Sequence, residues 1–256
     1  MSLTYQEKLA RNRVCLPLDG LNSLAEVKER VAELKEVVGL FKVGKESFTK
    51  FGPAVIELIH NSKREVFLDL KYHDIPNTVR GAAAAAAELG VFMFNVHSSG
   101  GLEMMQAAKE GALSVSEKIG MRCPKIIGVT VLTSIDNRIL REDLGIQEEV
   151  EEHVLRLAKL TQKASLDGIV CSAADLYAIK DKLPDDFMFV TPGIKAVGGH
   201  AGADQKRVFS PGNAIRDGST ILVVGRTITS FATPEERIES GYNILKDIAQ
   251  YMPKKV

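Results

Sequence analysis

No charge excess marks this chain: 33 basic residues face 33 acidic ones, for a formal net charge of zero. A sequence-unspecific nucleic-acid binder needs a basic surplus, so no nucleic-acid partner is expected, although a few basic side chains can still build a local anion site. Cysteine is scarce. Cys15, Cys123 and Cys171 are odd in number and far apart, which fits neither a disulfide framework nor a CxxC metal site. They read as buried thiols in a reducing compartment. Apolar stretches stay below the roughly 18 residues of a membrane span. The opening MSLTYQEKLARNR has no apolar centre of a secretion signal. A soluble cytoplasmic protein with no membrane partner is expected. No linker or composition shift divides the chain, so residues 1–256 read as a single domain.

What is present is alternation. Eight short runs rich in Val, Ile and Phe read as buried strands: 14–19, 39–44, 65–71, 91–97, 125–132, 167–172, 187–193 and 219–225. Between them lie helical patterns. Leu24, Val27, Val31 and Leu34 repeat within 23–37, Val150, Val154, Leu157 and Leu160 within 148–164, and Ile238, Tyr242, Ile244 and Ile248 within 234–252. Thr233, Pro234 and Glu236 form a capping-box signature for the last of these. The alanine run 82–87 reads as a closely packed helix. Eight strand–helix units of about 30 residues predict an α/β fold, a single (β/α)8 TIM barrel with its active site at the C-terminal mouth of the strands. The runner-up is an open doubly wound sheet, but PLDGLNS after the first run offers no GxGxxG turn. Two stretches, 134–147 and 195–210, break the pattern as loops at strand ends. The second, rich in Gly and Ala, has the composition of a lid.

The most informative segment is FLDLKYHDIPNT, 67–78. Alternation along a strand puts Asp69 and Lys71 on one face and Leu68 and Leu70 on the other. With the leucines toward the helices, the two charges point into the barrel. Asp19 ends the first strand and Lys42 the second, so four charged groups are expected at neighbouring mouths. Buried charges are costly unless paired. The set is therefore either a structural salt-bridge network or a preorganised catalytic cluster. Asp74 lies past the strand end and either folds back or projects away. His97 reads as a hydrogen-bonded core residue. His73 and His200 have no metal-ligand spacing.

Asp69-x-Lys71-x-x-Asp74-Ile75-Pro76-Asn77-Thr78 resembles the signature of the orotidine 5′-phosphate decarboxylase family. So do Leu18-Asp19, Phe41-Lys42-Val43-Gly44, Asn95-Val96-His97, Leu132-Thr133-Ser134, Thr191-Pro192-Gly193-Ile194, Asp204-Gln205 and Val224-Gly225-Arg226, in the family's order from 18 to 226. The resemblance implies decarboxylation of orotidine monophosphate to UMP, the last step of de novo pyrimidine nucleotide synthesis, without metal or organic cofactor. It implies a homodimer with Asp74, Ile75 and Thr78 contributed across the interface. Lys71 is then the proton donor, Asp69 the neighbour of the departing carboxylate, and Lys42 and Asp74 the groups that hold Lys71. The substrate-binding set implied is Asp19 at the ribose, Ile75 and Thr78 across the interface, Thr133 or Ser134 at the pyrimidine edge, and Gln205, Gly225 and Arg226 at the phosphate. Pro192 and Lys195 belong to the same set. Lys195 departs from the arginine that many similar bacterial chains carry after TPGI, and it offers a point charge where they offer a bidentate fork. The alternatives are a Mg²⁺-dependent sugar-phosphate decarboxylase or synthase of the same barrel group, and a non-catalytic phosphate binder.

Overall fold

Each of the eight apolar runs contains a strand in the computed structural model, which describes residues 2–194 and 210–254. The strands are β1 (Val14–Pro17), β2 (Leu40–Gly44), β3 (Glu65–Tyr72), β4 (Met93–His97), β5 (Lys125–Val129), β6 (Gly168–Val170), β7 (Met188–Pro192) and β8 (Ile221–Val223). They are hydrogen-bonded in chain order as a closed barrel. That closure decides for the (β/α)8 fold over the open sheet. The helices are α1 (Tyr5–Arg11), α2 (Leu24–Leu34), α3 (Lys45–Phe51), α4 (Ala54–Asn61), α5 (Pro76–Glu88), α6 (Leu102–Ile119), α7 (Asn137–Glu142), α8 (Val150–Lys163), α9 (Ala173–Ile179), α10 (Pro211–Arg216), α11 (Arg226–Thr229) and α12 (Pro234–Ala249). Among the described residues no helix is long and apolar enough to cross a membrane.

The chain forms two compact units, Met1–Phe67 with Thr191–Val256, and Leu68–Val190. In the first, β1 pairs in parallel with β8 and with β2, in the register Cys15↔Val223 and Pro17↔Lys42. Ser23 caps α2 by accepting the Glu26 amide, and the helix buries Val27, Val31 and Leu34, the face its spacing predicts. Thr233 and Glu236 close the expected capping box on α12, with Pro234 in its first turn. Arg237 of α12 grips Glu33 of α2 with two bonds, Nε to Oε1 at 2.6 Å and Nη2 to Oε2 at 3.1 Å.

In the second unit, β4, β5, β6 and β7 run parallel, with Asn95↔Ile127, Ile127↔Gly168 and Gly168↔Met188 in register. The alanine run lies in α5 and buries Ala83, Ala86 and Ala87. Helix α6 approaches so closely at Gly111 that a Cβ there would sit 2.2 Å from the Arg80 carbonyl oxygen. Only small residues allow that approach. It fixes the start of α5, which carries Asn77 and Thr78. The expected loop 134–147 is partly helical. Asp136 accepts the Ile139 amide at 2.9 Å and starts α7, which buries only Leu140 and so has too little apolar periodicity to announce itself. Of the loop 195–210, all but Ser210 lies outside the described residues. Ser210 caps α10.

Candidate functional site

The second unit holds Asp69 and Lys71 at the C-terminal end of β3. The Lys71 ammonium donates to Asp69 Oδ1 at 2.5 Å, with side-chain exposures of 25% and 10%. Alternation alone does not produce this pair. Lys71 takes a φ of +52°, the left-handed region that a lysine rarely enters, at a cost of about 1–3 kcal/mol. Its backbone N–H donates to Asn95 Oδ1 at 2.8 Å, and Asn95 Nδ2 in turn donates to Asp69 Oδ1 at 2.7 Å. Asn95 comes from the middle of β4 and is fully buried. Next to this network, Tyr72 packs on Phe94 with ring centroids 5.9 Å apart, and burial pushes its phenol up, so it stays neutral.

The first unit holds Asp19 and Lys42. The β1–β2 ladder runs on past β1, with the Leu18 amide donating to the Lys42 carbonyl at 3.0 Å, and this sets Asp19 beside the Lys42 side chain. Lys42 Nζ lies 3.2 Å from Asp19 Oδ2. Asp19 is 48% exposed and Lys42 12%. Ser47 Oγ donates to the Leu18 carbonyl at 2.5 Å, and Lys50 Nζ donates to the Leu21 carbonyl at 3.2 Å. Glu46 accepts the Gly20 amide at 3.3 Å, and its bond from Lys50 holds its carboxyl below the usual range. The loop after Asp19 is thus pinned from α3. Gly44 leaves the necessary space, since a Cβ there would meet Asp19 Oδ1 at 2.8 Å and Lys42 Nζ at 3.0 Å.

A pocket of roughly 290 Å³ opens beside this pair, lined by Pro17, Asp19, Arg30, Gly225 and Arg226 among others. Arg226 opens α11, directly after the β8 end, and is exposed. Thr227 Oγ1 donates to the Ile194 carbonyl at 2.9 Å, which ties the end of the TPGI segment to the helix that carries Arg226. Thr191 Oγ1 and Ser219 Oγ lie 2.7 Å apart, both buried. The arrangement offers a cationic recess with a carboxylate at its edge, suited to an anionic group joined to a hydroxylated one.

The matching family model spans residues 12–240 and is described as the orotidine 5′-phosphate decarboxylase / HUMPS family. The chain belongs to that family. A protein of Syntrophus aciditrophicus named orotidine 5′-phosphate decarboxylase is 43% identical over 250 residues, 98% of each chain. One of the same name from Shewanella sediminis is 48% identical over 221 residues, 86% of this chain and 91% of the other. The crystal structure of orotidine 5′-phosphate decarboxylase from Lactobacillus acidophilus matches with a TM-score of 0.79 at 34% identity, covering 92% of this chain and 98% of that one.

The site residues expected from the sequence fall in several settings. Asp69 with Lys71, and Asp19 with Lys42, form two acid–lysine pairs, one in each unit. Asp74, Ile75 and Thr78 are exposed around the start of α5, and Asp74 Oδ1 accepts the Ile75 amide at 2.6 Å. Thr133 and Ser134 are exposed just beyond β5, and Pro192 is half-buried at the end of β7. Lys195, His200 and Gln205 lie outside the described residues. His97 is half-buried and stands against His73 with ring centroids 5.3 Å apart. Arg30 in the pocket wall was invisible to sequence reading. Asn95 was not: a lone amide in the apolar run VFMFNVH is a signal that a buried partner must exist.

Proposed function

We propose that the protein decarboxylates orotidine 5′-monophosphate to UMP, in the cytoplasm, as the last step of de novo pyrimidine nucleotide synthesis. The observation that carries this reading is the Asp69–Lys71 pair, its carboxylate nearly enclosed and braced by Asn95 at a strand end, in a chain of this family. Loss of CO₂ breaks the C6–carboxylate bond and leaves its electron pair on C6. No adjacent carbonyl accepts that pair, so the site must stabilise the carbanion electrostatically. The Lys71 ammonium supplies that charge, then transfers its proton to C6 and is reprotonated from solvent. Asp69 lies near the substrate carboxylate and holds the Lys71 cation. Lys42 completes the charge pattern, and Asp74 does so from the second chain of a homodimer.

Asp19 takes the ribose hydroxyls. Thr133 or Ser134 reads the pyrimidine edge. Arg226, the Gly225 amide, Gln205 and Lys195 bind the phosphate, with Pro192 shaping that side. Ile75, 66% exposed beside Asp74, supports the dimer: an apolar side chain next to a functional acid fits a surface that a second copy covers. Residues 1–256 work on this reading as one barrel domain, and the reaction uses the chain's own groups without added cofactor. The test is the purified protein with orotidine monophosphate in EDTA, following loss of substrate absorbance and release of CO₂. Full turnover in EDTA is expected. No turnover with or without metal contradicts the reading, and turnover that requires Mg²⁺ points instead to the metal-dependent members of the barrel group.

A further inference from the structure

We infer that Asn95 is a positioning residue for the decarboxylation, the group that fixes Lys71 and Asp69 relative to one another. The inference rests on the decarboxylase reading above. Three observations in the second unit carry it. Lys71 is held at a φ of +52°, so its N–H leaves ordinary strand geometry and needs an acceptor elsewhere. Asn95 Oδ1 is that acceptor at 2.8 Å. The same side chain donates from Nδ2 to Asp69 Oδ1 at 2.7 Å, the oxygen that also receives the Lys71 ammonium at 2.5 Å.

The chemistry of the partners sets the orientation of the amide. A backbone N–H can only donate, so it must face Oδ1; an ionised carboxylate can only accept, so it must face Nδ2. No other side chain of this length offers both an acceptor and a donor at the same branch point. Aspartate would bring a carboxylate against Asp69, and leucine would leave both partners unmet. Asn95 is fully buried, so water does not readily replace it. One amide therefore closes a ring through the backbone of the proton donor, its ammonium and its carboxylate partner. It acts through Lys71 and Asp69 and does not touch substrate itself.

The consequence is a specific split in kinetics. Phosphate and ribose recognition is assigned to residues of the first unit, so loss of Asn95 should leave nucleotide binding intact while turnover falls. Misplacement of reacting groups by about an ångström costs on the order of 10²-fold. The experiment compares wild type, Asn95→Ala and Asn95→Leu, the last keeping the volume without the amide. In each, UMP-binding stoichiometry counts the competent sites, and kcat per site and KM are measured on orotidine monophosphate. The expected result is a fall in kcat per site on the order of 10²-fold in both variants, with KM and UMP affinity within about threefold of wild type. If neither variant yields UMP-binding sites, Asn95→Ser, which creates a smaller void, is read the same way. A kcat per site within threefold of wild type, or losses in UMP affinity that match those in kcat, would overturn the positioning role. An inactive wild type would overturn the decarboxylase reading and the inference with it, whereas an active wild type beside active variants removes only the inference.

Discussion

The two acid–lysine pairs use the same chemistry in opposite ways. In the first unit Asp19 and Lys42 meet at 3.2 Å, with the carboxylate half in solvent beside an open pocket and glycine at 44 leaving room around it. In the second, Asp69 and Lys71 meet at 2.5 Å, with the carboxylate nearly enclosed, the lysine backbone in a strained conformation and a buried amide tying both together. A solvated pair is weakly held and can exchange its partner for a substrate hydroxyl at little cost. A braced pair with a nearly enclosed carboxylate cannot reorganise cheaply, and such fixed charge is what stabilises a transition state without rearrangement. On the proposed reading the exposed Asp19 serves binding, Asp69 and Lys71 serve bond-breaking, and Lys42 adds its charge to the latter.

The largest expected effect is on the braced pair. Lys71→Ala should lower kcat/KM on orotidine monophosphate by on the order of 10⁴-fold or more, mainly through kcat. Asp19→Ala should cost about 10- to 100-fold, mainly through KM. Circular dichroism of both variants separates lost chemistry from lost fold. Similar KM-dominated losses from the two would erase the contrast. Next comes recovery across the proposed homodimer. Asp74→Asn and Lys71→Ala are each expected to be inactive, but mixed in equal amounts and allowed to exchange they should regain about a quarter of the wild-type rate, because half the dimers carry one intact site of two. No recovery after verified exchange places Asp74 in its own chain's site.

A smaller effect is expected at Gly44. An added methyl would press on both Asp19 and Lys42, so Gly44→Ala should raise KM by about tenfold, with a smaller fall in kcat through Lys42. A fall in kcat alone would mean that the site acts on the bond-breaking step through Lys42 and that Asp19 does not hold the substrate. The smallest effect concerns stability. Burial holds the His60 imidazole below its ordinary value, with Glu65 opposing. The unfolded chain therefore takes up that proton first, and the stability present above about pH 6.5 is lost as pH falls through the folded value. Between about pH 7.5 and 5.5, the melting temperature of His60→Gln should drop less than that of wild type, on the order of a degree less given the exposure of the site. An equal or larger drop would show that acid acts on the first unit through other groups.

Much of the scaffold could be read from residue order. Short Val- and Ile-rich runs favour buried strands at that length, and Ser23 and the Thr233–Glu236 box announce their helices through local bonds. Asp69 and Lys71 were legible because charges in a buried strand demand a reason. The left-handed turn at Lys71 was not, since a period of two describes a regular strand and the deviation is held by Asn95, 24 residues away. The clearance at Gly44 and the place of Arg30 in the pocket wall depend on which elements become neighbours, and no local pattern encodes that.

The division of labour is tested most directly by removing the phosphate from the substrate and a cation from each region. The measurement is kcat/KM for orotidine monophosphate and for orotidine, with wild type, Arg226→Ala and Lys71→Ala. Arg226→Ala should lose on the order of 2–5 kcal/mol equivalent on the nucleotide and little on orotidine, because on the proposed reading its contact is to the phosphate alone. Lys71→Ala should lose the same large factor on both, since the bond broken is the same. Equal proportional losses from Arg226→Ala on the two substrates, or a loss from Lys71→Ala confined to the nucleotide, would contradict the proposed assignment of the phosphate to Arg226 and of the chemistry to Lys71.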